Sequence, residues 1–134
     1  MESIKQFVFA RNSAFHIINN APQEKWAEMP GSSSNNIHWN AGHIFVLAEG
    51  LLCLRLERGR QTGREMCRQQ RKLSMHFKSK WDALTEFCGE LDQDADQPVT
   101  IGPLEMTTIN AVLQFVTFHE GMHTGIIKSL TKKA

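Results

Sequence analysis

The chain has 134 residues, 41% of them hydrophobic and 22% charged, with a formal net charge of +1. This is the make-up of one globular domain spanning residues 1–134, and its near-neutral balance gives no pull toward nucleic acid or an acidic membrane surface. No apolar run approaches the roughly eighteen residues that a membrane span needs. The opening stretch MESIKQFVFARNSAFHIINN carries charges and asparagines where a secretory signal would be apolar, so a cytoplasmic protein is expected. Cys53, Cys67 and Cys88 lie far apart with no Cys-x-x-Cys among them, and read as reduced thiols.

Strand signals are weak and helical periodicity dominates. The first helix is predicted over residues 2–19, with Ile4, Phe7, Val8, Phe15 and Ile18 on one side and Asn19, Asn20 and Pro22 ending it. A loop follows, in which Trp26 is expected against the core and Pro30-Gly31 forms a turn. The second helix starts near Ser34 or Asn35, either able to cap it, and runs to Arg58, with Gly59 and Gly63 bracketing its end. Its inward stripe reads Trp39, His43, Val46, Leu47, Gly50, Leu51 and Leu54.

A third helix carries Leu73, Phe77, Trp81, Leu84, Cys88 and Leu91. The stretch DQDADQPVTIGP then reads as a loop broken by Pro98, Gly102 and Pro103, and the last helix begins near Thr107 and continues almost to the end. Four amphipathic helices joined by one short and two longer loops make an all-α fold, an antiparallel four-helix bundle, with a three-helix bundle as the competitor.

The stripe of the last helix is Ile109, Val112, Val116, His119, His123, Ile126 and Leu130. A buried imidazole needs partners for its ring nitrogens or costs about 1 kcal/mol or more. His119 and His123, four apart, differ by only about 40° around the helix and can lean toward one point. A single metal ion would satisfy both, and His43 on the inward stripe of the second helix supplies a third imidazole, a usual ligand set for Zn²⁺, Ni²⁺ or Fe²⁺. The bland alternative is three core histidines that merely hydrogen-bond, in a helical dimerisation module. His16, His38 and His76 sit among polar neighbours or off the stripe and read as surface residues or as residues beside the ligands, His38 at the mouth of the site or in solvent.

FHEGMHTG contains His-Glu-x-x-His, the spacing of zinc proteases, in which the Glu is general base. The chain does not fit that class. The extended form needs Gly and His where Ile126 and Ser129 stand, and no Asp, Glu, His or Cys follows His123 to complete the other form. Glu120 lies about 100° from His119, where it either hydrogen-bonds a ligand or is exposed, the latter being at least as well supported. The basic run Arg55, Arg58, Arg60, Arg64, Arg68, Arg71 and Lys72 reads as a solvated face, and no interleaved aromatics suggest nucleic-acid stacking.

NNIHWNAGHI, Asn35 to Ile44, resembles the Asn-x-x-x-Trp-x-x-x-His signature of DinB-like proteins, and HEGMHTGII, His119 to Ile127, resembles that family's last-helix signature His-x-x-x-His-x-Gly-Gln-Ile. The resemblance implies a four-helix bundle with long crossover-type loops, often homodimeric, in which His43, His119 and His123 bind one divalent metal. Zn or Ni are the leading ions, with Fe and Mn as alternatives. It further implies a metal-dependent enzyme acting on a small molecule, either a thiol transferase of the bacillithiol type with a low-molecular-weight thiol, or a hydrolase. The alternative is a non-catalytic metal-binding stress-response protein, slightly favoured by Ile126 standing where the family usually has Gln and by the absence of a clear general base. Glu49 is a candidate to close an open position on the metal.

Overall fold

A computed structural model describes residues 2–56 and 94–132, without the side chains of Glu49, of 52–56 and of 94–97. The helix expected around Leu73 to Leu91, most of the basic run and His76 lie outside the described residues, as do the side chains of the three cysteines.

Helix α1 spans Glu2–Asn20 and buries Ile4, Phe7, Arg11, Ala14 and Ile18, the 3-4-3-4 spacing of one helical face. Most of this stripe matches the sequence reading; the buried Arg11 does not. A single 3₁₀ turn, Gln23–Lys25, brings half-buried Trp26 back to the end of α1, where its indole N–H donates to the carbonyl of Ala21 at 3.1 Å. The Pro30-Gly31 turn is closed by Ser33 N–H donating to the Pro30 carbonyl at 2.7 Å, with Gly31 at φ +24°.

Helix α2 spans Ile37–Leu56 and is capped by Asn36, whose Oδ1 accepts the backbone N–H of Trp39 at 2.8 Å. The expected cap at Ser34 or Asn35 is off by one residue. Its buried face also differs from the predicted stripe: Ile37, Asn40, Ala41, Ile44 and Ala48 face inward, while Val46 is 59% and Trp39 46% exposed.

The stretch expected to be a loop before the last helix forms two strands instead, β1 (Asp94–Ile101) and β2 (Leu104–Thr108), paired antiparallel with Val99 opposite Met106. Gly102 and Pro103 are the two turn residues, and Gly102 adopts φ +57°, which a tight two-residue hairpin requires and glycine accepts without strain. Val99 and Met106 are the residues the hairpin contributes to the core. Helix α3 spans Ile109–Lys132; Thr108 caps it, its Oγ1 accepting the N–H of Ala111 at 3.1 Å.

The described residues are therefore mostly helical, with one small strand pair. Two apolar clusters fix how the helices run. The first joins Ile4 and Phe7 of α1, Ala48 of α2 and Val112, Leu113 and Val116 of α3. The second joins Ile18, Ile37, Ala41, Ile44, Ile127 and Leu130. Helices α1 and α3 are accordingly parallel to each other and α2 is antiparallel to both. An up-and-down row of four helices would set its first and last members antiparallel, so that simplest form of the expected bundle is not adopted. Between the clusters, along all three helices, lies a polar layer containing Arg11, Asn40, His43, His119, Glu120, His123 and Thr124. No described helix is long and apolar enough to cross a membrane.

Candidate metal centre

The polar layer brings His43, His119 and His123 together. One ligand nitrogen from each lies within 4.8 Å of the others, and the ring centroids are 5.0 Å (His43 to His119), 4.9 Å (His43 to His123) and 4.4 Å (His119 to His123) apart. Helical spacing sets the last of these, since residues four apart stand one above the other on the same face. The antiparallel packing of α2 on α3 sets the other two. His119 and His123 are buried and His43 is half-buried, so the cluster has a deep side and an outer edge.

The walls of the site hold the rings in place. Trp39 stacks on His43 with centroids 4.6 Å apart and planes 13° from parallel. Phe115, one turn before His119, stacks on it at 6.0 Å. Buried Asn40, one residue past Trp39, places its Oδ1 2.7 Å from Nδ1 of His123. Sequence reasoning missed Asn40: a lone asparagine in an apolar helix gives no signal until the histidine it faces, 83 residues away, is placed beside it.

The electrostatics favour neutral imidazoles. Burial, followed by the nearby His123 and His43, lowers the His119 pKa to about 4. Burial and then His43 lower that of His123. Both rings are therefore neutral at pH 7, each with one nitrogen carrying a free lone pair, the form in which imidazole ligates a metal. The donor set fits a divalent metal ion. With metal–nitrogen bonds of about 2.0–2.1 Å, tetrahedral ligand atoms sit roughly 3.3 Å apart, a closure of about 1.5 Å or less from the 4.8 Å limit, within reach of small side-chain rotations.

His16 and His38 are exposed, as the sequence suggested. Glu120 contradicts the exposed reading: it is 1% exposed and forms an ion pair with Arg11 of α1. Arg11 is itself 3% exposed, with its guanidinium carbon 4.7 Å from the Phe45 ring centroid and 5.4 Å from that of Phe7. The Glu of His-Glu-x-x-His is thus taken up in tying α3 to α1, which sharpens the case against a protease-like base. Ile126 is 39% exposed, and Ile127 takes the seam position assigned to it. The side chain of Glu49 lies outside the described residues.

Burial pushes the Glu120 carboxyl up to about 7, against the pull of Arg11. The folded chain therefore holds an extra proton on Glu120 between pH 4.5 and 7 and loses that stabilisation as pH rises. His119 acts in the opposite sense: the unfolded chain holds the extra proton between pH 4 and 6.5, so stability grows with pH. The two offset each other in the metal-free protein. Glu120→Gln removes one of them, and the metal-free variant is expected to gain stability as pH is raised from 4 to 6.5, by at most about 3 kcal/mol from His119. Urea unfolding at stepped pH measures this; a flat profile in the variant would refute it.

A sequence model of the DinB superfamily matches residues 6–127 of the chain. No curated protein and no solved structure matches it significantly.

Proposed function

Because the chain belongs to the DinB superfamily, we propose that it is a divalent-metal-dependent enzyme acting on a small molecule, and that its reaction is transfer of a low-molecular-weight thiol, of the bacillithiol type, to an electrophile. The observation carrying this reading is the depth gradient of the triad, with two buried imidazoles and a third, His43, on the outer edge. A site meant only to staple helices would be closed on all sides by protein ligands. Here only three imidazoles converge among the described residues, leaving coordination positions for an incoming group.

A divalent ion held by neutral imidazoles makes a bound thiol or water more acidic, so that thiolate or hydroxide is available near neutral pH. The residues do the rest. His119 and His123 would anchor the ion from the buried seam and His43 would complete the set, with half-buried Phe115 stacked against His119. Trp39, 46% exposed over His43, offers a flat apolar wall to a substrate arriving from the outer edge. In the thiol reaction a sulfur–carbon bond forms, the bond from that carbon to its leaving group breaks, and the thiol proton passes to solvent. Hydrolysis by the same site is the second enzymatic reading. A non-catalytic metal-binding stress-response role is the alternative: Ile126 lies outside the buried seam, but Glu120 is paired with Arg11 and offers no general base.

The same reading includes Zn or Ni as the ion, with Fe and Mn next, a single domain over residues 1–134, a cytoplasmic location, a homodimer and a bundle completed by a fourth helix. Helix α2 ends and α3 begins at the end of the bundle marked by the Ile4 cluster. A helix inserted between them requires one connection running the length of the bundle, the crossover that the family resemblance implies.

A panel of low-molecular-weight thiols assayed against monochlorobimane with metal-loaded protein tests the function. Thiol-dependent conjugation that disappears on chelation is expected, with chloride as the leaving group. Inactivity of loaded protein with every thiol would move the reading to the non-catalytic alternative.

A further inference from the structure

The first turn of α2 does more than begin a helix. Asn40 Nδ2 donates to the Asn36 carbonyl at 2.8 Å, the same oxygen that accepts the Asn40 backbone N–H at 3.1 Å. This fixes which way round the Asn40 amide sits. A flipped amide would set Oδ1 against a carbonyl oxygen at 2.8 Å, an oxygen–oxygen contact with no proton between. Oδ1 therefore faces His123, and an amide oxygen can only accept, so the proton of the 2.7 Å bond belongs to His123 Nδ1. Nε2 is left as the one nitrogen of that ring with a free lone pair.

Asn36 is held in turn. Its Oδ1 caps the Trp39 N–H at 2.8 Å and its Nδ2 reaches the Ala27 carbonyl at 3.4 Å. Trp39, fixed by that cap, lies flat on His43. One helix cap thus orients two of the three rings, His43 by stacking and His123 by hydrogen bonding.

We infer that Asn40 is a positioning residue for the metal centre, selecting the Nδ1–H tautomer of His123 so that Nε2 is presented to the ion, with Asn36 as its anchor. This rests on the metal-dependent reading above. Hydrogen bonds of this kind to the non-ligating nitrogen fix ring orientation and raise ligand basicity, and their loss typically lowers metal affinity about 10- to 100-fold.

The test has two parts. In the metal-free wild-type protein, long-range ¹H–¹⁵N correlation spectra should show His123 protonated on Nδ1, although free imidazole side chains prefer the other tautomer. A proton on Nε2 would overturn the inference without any appeal to metal. In zinc competition titrations, Asn40→Ala should bind about 10- to 100-fold more weakly. Asn40→Leu, which keeps the packing volume without an acceptor, should bind as weakly as Asn40→Ala. Wild-type affinity in either folded variant would show that Asn40 only packs. Failure of the wild-type protein to bind zinc would instead defeat the metal-dependent reading, while the tautomer measurement would still decide this one.

Discussion

Replacing His119 or His123 by alanine is expected to lower divalent-metal affinity by about a thousandfold. The magnitude follows from sharing a structural zinc binding energy of about 10–16 kcal/mol among a few ligands, so each is worth about 4 kcal/mol, or some three powers of ten. Neither position can be made good by water, because both side chains are buried between α2 and α3. His43 should behave differently. It is half-buried at the outer edge, where water can take the vacated position, so His43→Ala should weaken binding less than either buried change. Competition against a chromophoric chelator, using protein purified without a metal-affinity tag, gives all three values. The metal-free folds should survive, since removing an imidazole from a polar layer leaves both flanking apolar clusters intact. Unchanged affinity in both buried variants would mean that the ion is held elsewhere.

The closeness of His119 and His123 was legible in the sequence because α3 has one clear apolar face, on which two histidines four residues apart stand out. The second helix is different. It is apolar on almost every side, with Trp39, Phe45, Val46, Leu47 and Leu51 all outside the buried set. Periodicity there cannot choose a face. What chooses it is close approach: Ala41 and Ala48 are the small residues that let α3 come near, and they draw Ile37, Asn40 and Ile44 inward with them. His43, adjacent to that face, then falls at its edge, which is why it is half-buried.

The hairpin was illegible for another reason. Its acidic start and Pro98 resemble a loop, and among the described side chains Val99 and Met106 are the inward residues that mark its two strands. Arg11 and Glu120 could not be read singly, because each reads as a surface residue until the other is placed beside it, 109 positions away.

Cutting the Arg11–Glu120 pair should cost more stability than any other single polar change in the described core. At pH 8, above the Glu120 value of about 7, both members carry charge, and both are almost fully buried. Glu120→Ala would take the Glu120 counter-charge away from the buried Arg11 guanidinium, and removing one partner of a buried pair typically costs about 3–5 kcal/mol. Glu120→Gln keeps the shape and an acceptor, and should cost about 1–3 kcal/mol. The double change Arg11→Met with Glu120→Leu should lie near wild type or above it, since apolar replacement also removes the desolvation penalty of two charges. Urea unfolding of the metal-free proteins at pH 8 ranks the three variants. Zinc affinity of the Glu120→Gln protein should stay within about threefold of wild type, because its carboxyl group faces Arg11 on α1 and not the imidazoles. If the affinity falls with the stability, Glu120 acts on the metal. If the double variant is as unstable as Glu120→Ala, the cost lies in packing and not in charge.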